Sequence, residues 1–202
     1  MCAFSSFSSF MSILILAILT ANKLSSADIA TRGRMFIEWR ILHPSLSKNF
    51  LALQQHLLSI GGDLVTAPQS CAVNNMHVTL NEWCVRTSKE VECATAVVEQ
   101  WAHTHLSSCF ERVTHVRLLG ALGVFNARVV YVRVQDGGAL ARAFASCQSA
   151  LAAAGITQVG KGGTHFTPHL TVCKATRKMK QAEPQRSAAF WSAVGKHTKP
   201  LG

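Results

Sequence analysis

Acidic residues are scarce in this chain. Asp and Glu total ten in 202 residues, against twenty Lys and Arg. No carboxylate cluster exists to build an oxygen-ligand metal centre. Cysteine pairs of metal-binding type are also missing. The seven cysteines (Cys2, Cys71, Cys84, Cys93, Cys109, Cys147 and Cys173) contain no C-x-x-C and no zinc-finger spacing with histidine. They read as scattered thiols, although loss of Cys2 with a leader would leave an even number and keep a disulfide protein open. The run Met11 to Leu19 is too short to span a bilayer comfortably, and no Lys or Arg precedes it. It has the length of a signal-peptide core, and Ser25-Ser26-Ala27 supplies small residues for cleavage. Three readings stand: a secretory signal, a short membrane anchor through residues 11–19, or an unstructured leader. Localisation follows the leader: secretory if it is a signal, otherwise cytoplasmic or nuclear.

What is present points to one packed domain. Apolar residues make up 49 % and charged residues 15 %, which argues against global disorder. The formal net charge of +10 attracts polyanions such as nucleic acid, nucleotides or anionic lipid. Much of that surplus lies near the C-terminus, in Lys174, Arg177, Lys178, Lys180, Arg186, Lys196 and Lys199. The expected organisation is a leader and linker over 1–34, a domain over 35–178 and a basic tail over 179–202, with one short helix around Ser187 to Val194.

Within the domain the periodicity reads β-α-β-α-β-β-α-β. Phe36 to Leu42 alternates as a strand, with Ile37, Trp39 and Ile41 on one face. Leu46, Phe50, Leu53, Leu57 and Ile60 recur at helical spacing, and Gly61-Gly62 stops that helix. Thr87-Ser88-Lys89-Glu90 is a capping box that opens a second helix. Val113 to Leu119 alternates, a Gly-containing turn follows, and Arg128 to Val134 is strand-like. Leu140, Phe144, Cys147 and Leu151 mark a third helix that Gly155 ends. The pattern predicts an α+β, pseudo-duplicated domain in which each half gives one motif strand to a shared cleft.

Those strands carry a repeated motif: His77-Val78-Thr79-Leu80 and His169-Leu170-Thr171-Val172. Side chains alternate across a strand, so each histidine shares a face with its threonine while the aliphatic residues enter a core. A single H-x-T strand is common and means little. Two copies in matching places suit one phosphate held between two imidazoles and two hydroxyls. Cleaving a phosphoester requires one group to take a proton and another to give one, and histidine titrates near neutrality. Hydroxyl donors aimed at the non-bridging oxygens stabilise the charge that builds there. No metal or other cofactor is needed. By the same alternation, Cys173 shares the face of His169 and Thr171. His103-Thr104-His105 is not a metal site, because i and i+2 positions of a helix do not face each other.

Phe166-Thr167-Pro168-His169-Leu170-Thr171-Val172-Cys173-Lys174 resembles the F-x-P-H-L-T-x-x-K segment of the two-histidine (2H) phosphoesterase superfamily, in its A-kinase-anchoring-protein-like, 2′-5′ RNA ligase-like branch. Asn75-Met76-His77-Val78-Thr79-Leu80 is similar to that branch's first motif, and Gly123 to Tyr131 to the strand pair between them. The resemblance covers roughly residues 35 to 178. It implies a bilobal fold of two antiparallel sheets flanking a central cleft, with helices outside. It implies metal-independent phosphodiester chemistry on 2′,5′-oligoadenylate, 2′,3′-cyclic phosphates or RNA ends. His77 and His169 become the acid/base pair, and Thr79 and Thr171 the phosphate donors. The branch also contains nucleotide-binding domains, so the alternative is a non-catalytic AMP-like or RNA-binding module that uses the same cleft. Phe125 and Tyr131 are candidates to stack on a base. Arg128, Lys161 and Lys174 are candidates to neutralise phosphate, and His165 to line the cleft edge. The expected state is a monomer with an RNA, oligonucleotide or nucleotide substrate. A third reading assigns function to the basic tail, with activity on small substrates surviving deletion beyond Arg177 if the cleft is what matters.

Overall fold

Met35, Ile37 and Trp39 alternate with Phe36, Glu38 and Arg40, and this period of two folds as a strand. The computed structural model describes residues 33–40, 44–67, 76–111, 116–156, 166–198 and 201. Strand β1 is Gly33–Arg40, with Met35, Ile37 and Trp39 each at most 1 % exposed. Helix α1, Pro44–Gly61, buries Phe50, Leu53 and Leu57 of the stripe that the helical spacing predicts, half-buries Leu46 and leaves Ile60 exposed at its end. A 3-10 turn at Gly62–Leu64 leads into the short strand β2, Val65–Thr66. Strand β3, His77–Val85, carries the first motif.

Helix α2, Ser88–Trp101, begins with Thr87 as its cap. The Thr87 hydroxyl accepts from the Glu90 N–H at 3.1 Å. The Glu90 carboxylate accepts from Arg86 N–H rather than from the cap residue itself, at 2.6 Å, so the expected box forms one residue wider. A π-helical turn, Ala102–Leu106, joins α2 to α3, Ser107–Phe110, and leaves His103 and His105 exposed. Among the described residues no three His, Cys, Asp or Glu side chains stand close enough to share a metal ion.

Strand β4 is Arg117–Phe125 and β5 is Val129–Gln135. The Gly-containing turn expected after Leu119 is instead strand. Gly120 and Gly123 lie inside β4, and the reversal is the three-residue loop Asn126-Ala127-Arg128, with Asn126 and Ala127 at positive φ (52° and 48°) and Arg128 N–H donating to the Phe125 carbonyl. Gly123 is needed for a different reason. It pairs with Tyr131, whose ring covers it so closely that a Cβ there would overlap the ring atoms. Alanine is a poor residue for the left-handed region. Ala127→Gly should therefore raise stability by roughly 0.5–1 kcal/mol, read as a higher midpoint in urea with an unchanged slope.

Helix α4, Ala139–Ala153, starts from the buried Asp136, whose carboxylate accepts from Gly138 and Leu140 N–H at 3.1 and 2.5 Å. Strand β6, His169–Ala175, carries the second motif. Helix α5, Pro184–Lys196, follows a 3-10 turn at Arg177–Lys180.

The strands make two antiparallel sheets, one of β1 and β3, the other in the order β2-β6-β5-β4. The sheets do not follow the two halves of the chain. α1 packs on β6, in the second sheet, while α4 packs on β3, in the first. The region expected as a basic tail also differs from a tail. α5 packs on α1, and Phe190, Val194 and Leu201 join the core at 0, 3 and 6 % exposure. Its polar surface is tied down by Asp63, whose carboxylate meets Lys178 and Arg186 at 3.1 and 2.9 Å. These two cations hold the Asp63 carboxyl below its ordinary range.

Cys84, Cys93, Cys109, Cys147 and Cys173 are free thiols. Burial pushes Cys147 up to about 12, so it is a packing residue rather than a nucleophile. No helix among the described residues is long and apolar enough to cross a membrane. The leader, Ile41, Lys161, His165 and Val113–His115 lie outside the described residues.

Candidate active site

The two motif strands are built alike, down to a shared irregularity. In β3, Thr79 pairs with Glu38 and Asn81 with Ile37, so Leu80 is an extra residue. In β6, Thr171 pairs with Tyr131 and Cys173 with Val130, so Val172 is the extra residue. Each strand thus carries a β-bulge immediately after its H-x-T. A bulge resets the alternation. Leu80 and Asn81 are both buried, as are Val172 and Cys173. Cys173 therefore faces the core, at 0 % exposure, and does not share the face of His169 and Thr171 as strict alternation predicts. The residue returned to the cleft side is Lys174, and Glu82 holds the equivalent place on β3.

The polar groups that the bulges release are satisfied from the helices. Gln54 of α1, 4 % exposed, donates to the Val172 carbonyl at 2.8 Å. Asn81, 2 % exposed, donates to the Phe144 carbonyl of α4 at 3.4 Å. These bonds brace each motif strand against the helix that packs on it, since an unpaired buried amide would be costly.

One cleft is lined by His77, Thr79, His169, Thr171 and Lys174, with Phe50, Met76 and Leu170 as its apolar wall. The structure thereby brings together all four motif residues and one of the candidate cations. His169 Nδ1 donates to the Thr167 carbonyl at 2.8 Å, which leaves Nε2 as its chemically active nitrogen. Pro168 supports that bond, because a proline restricts the residue before it to extended backbone. Burial lowers the His169 pKa from its ordinary value, and the charges of His77 and Lys174 lower it further, against the opposing pull of the Thr167 carbonyl. Neutral imidazole is the form that accepts a proton.

The remaining candidates sit around this cleft. Tyr131 and Phe125 stack on each other at 4.0 Å and both meet His169 edge-on, at 5.2 and 4.9 Å between ring centroids. They wall the imidazole; Tyr131 is only 4 % exposed, which leaves its ring little face for a base. Arg128 is in the β4–β5 reversal with an exposed side chain and is not among the lining residues.

Sequence reading passed over three residues that the register places here. Directly opposed residues of an antiparallel pair point to the same face. Arg40 opposes His77, Arg133 opposes His169, and Glu38 opposes Thr79. Glu38 is 4 % exposed, with Oε1 2.5 Å from Arg40 Nε and Oε2 3.5 Å from His77 Nδ1. A Glu two residues before an Arg on a strand with alternating burial was the available signal, but nothing in one sequence marks which strand it pairs with.

Two like strands presenting His and Thr to one cleft define the class of a 2H phosphoesterase. The chain belongs to the family described as the AKAP7 2'5' RNA ligase-like domain, which matches residues 35–199. That span includes α5. Among solved structures the chain is similar to the MHV ns2 PDE domain, with a TM-score of 0.51 and 13 % sequence identity over 69 % of this chain and 82 % of that one. At that identity the likeness speaks for the fold. No curated protein matches.

Proposed function

We propose that this protein is a metal-independent phosphodiesterase acting on RNA or oligonucleotide phosphoesters, with 2′,5′-linked oligoadenylate and 2′,3′-cyclic phosphate as the substrates to try first. The observation that carries the reading is the convergence of His77, Thr79, His169, Thr171 and Lys174 on one cleft. The family description and the neighbour's title point the same way.

The phosphate sits between the two strands. One imidazole takes the proton of the attacking hydroxyl, either water or ribose, and the other protonates the leaving oxygen. Thr79 and Thr171 donate to the non-bridging oxygens, and the Lys174 ammonium balances their charge. No cofactor enters the scheme.

The test is turnover of a panel in EDTA: 2′,5′-oligoadenylate, 2′,3′-cyclic mononucleotides and a 3′,5′-linked control. Cleavage of at least one member, undiminished by the chelator, is the expected result. Tight AMP binding with no cleavage anywhere in the panel would replace this reading with a binding module. Loss of cleavage in EDTA, restored by a divalent ion, would overturn the metal-independent step.

A further inference from the structure

The two histidines sit on near-copies of one strand, yet their surroundings differ at the register position opposite the threonine. The residue opposite Thr79 is Glu38, and the residue opposite Thr171 is Tyr131. One imidazole therefore has a buried carboxylate beside Nδ1, at 3.5 Å. The other has a phenol ring edge-on at 5.2 Å and a main-chain carbonyl on Nδ1. Among the described residues no carboxylate pairs with His169.

We propose that Glu38 is a positioning residue: its carboxylate, paired with His77, gives His77 the part of protonating the leaving oxygen, and so leaves His169 to accept the proton of the nucleophile. The inference rests on the phosphodiesterase reading and assigns direction within it.

The geometry supports each part. Arg40 Nε donates to Glu38 Oε1 at 2.5 Å, which gives the buried carboxylate a partner of opposite charge and fixes its rotamer. The other oxygen, Oε2, is the one beside the imidazole. A carboxylate beside Nδ1 assigns proton transfer to the other ring nitrogen, Nε2. Among the described residues, the charged groups around His77 include Glu38 and Arg40 from β1, and His169 and Lys174 from β6 across the cleft, with Glu82 further along β3. Glu38 is the only carboxylate that the structure places in an ion pair with a cleft histidine among the described residues. Lys174, on the His169 side, favours a neutral imidazole there.

The step balances as follows. The nucleophile's oxygen forms a bond to phosphorus while its proton passes to His169 Nε2. The bond from phosphorus to the leaving oxygen breaks, and that oxygen takes the proton from His77 Nε2. Two proton exchanges with solvent then restore the starting forms. Nothing is oxidised or reduced.

Glu38→Gln keeps the size and an acceptor for Arg40 but removes the charge. Its kcat should fall about tenfold at pH 8 and change little at pH 6, with KM held, the scale seen when an outer-shell partner of a functional histidine is lost. In ring-nitrogen NMR, the His77 titration should move to lower pH in this variant and that of His169 should stay. An equal loss at both pH values, or an unmoved His77 titration, would mean a structural role and overturn the proposal. The unsubstituted protein carries the same test if the variant does not fold. At pH 7 His77 should be the more protonated of the two, and the reverse order overturns the assignment. If the wild type cleaves nothing in the panel, the functional reading fails by itself, while the movement of the His77 titration in Glu38→Gln still decides whether Glu38 acts on His77.

Discussion

His77→Ala and His169→Ala should each lower kcat/KM on the best panel substrate by at least about a hundredfold, the usual worth of a positioned acid or base. Each variant removes one of the two proton transfers and leaves the hydroxyls and Lys174 in place. Substrate affinity should therefore suffer less than turnover. The double variant should lose less than the product of the two single losses, because residues that act as a unit are not additive. Both side chains line the cleft rather than the core, so each variant should fold, which its circular dichroism spectrum checks. Steady-state kinetics in EDTA checks this, and full activity in either variant would remove that histidine from the mechanism. The wild-type profile has a matching feature. His169 must be neutral to accept a proton, and burial lowers its pKa, so the acid limb of kcat/KM should fall below the ordinary histidine range. It should disappear in His169→Ala, in whatever residual activity remains.

The second large effect is on stability, at the far end of the chain. Phe190 is 0 % exposed, packs edge-on against Trp191 at 5.0 Å and lies close to Gly61 at the end of α1. Phe190→Ala should cost about 3–5 kcal/mol, the range for emptying a buried aromatic site. Whole domains are held by only about 5–15 kcal/mol. A chain that stops at Arg177 loses Phe190, Val194 and Leu201 together, along with both cations on Asp63, and should not fold. This reverses the expectation that activity survives removal of a tail. Thermal unfolding followed by circular dichroism distinguishes the two. A truncated chain that melts cooperatively near the wild-type temperature would show that α5 is dispensable.

Much of the site was legible in the sequence. Paired H-x-T segments with aliphatic alternation gave His77, Thr79, His169 and Thr171, and the alternating burial of β3 and β6 follows that pattern up to each threonine. Legibility stopped at the bulges. An extra residue in a ladder leaves no mark in period-two alternation, because Leu80-Asn81 and Val172-Cys173 read as ordinary strand. Strict alternation therefore puts Cys173 on the wrong face, while Lys174 lines the cleft. Glu38 was hidden for another reason. A buried glutamate on a strand looks like any exposed one until its partner strand is known. In β4, Gly120 and Gly123 read as a turn because glycine usually breaks strands, yet Gly123 makes room for the Tyr131 ring. Helix α5 reads as a basic tail because Arg186 and Lys196 face outward, and the short stripe of Phe190 and Val194 that docks it is easily outweighed by that charge.

The crossing of helices between sheets has a consequence for how the polypeptide comes into being. α1 emerges from the ribosome early, but β6, the strand it covers, emerges more than a hundred residues later. Until then the face carrying Phe50, Leu53 and Leu57 has no sheet to lie on. No N-terminal half can mature ahead of its partner. The chain must wait, with sticky surface showing, until α4 covers the first sheet and β6 completes the second, late steps that non-local contacts make slow. The same threading means that a nascent chain has no assembled cleft: His77 meets His169 only when nearly the whole domain has been made.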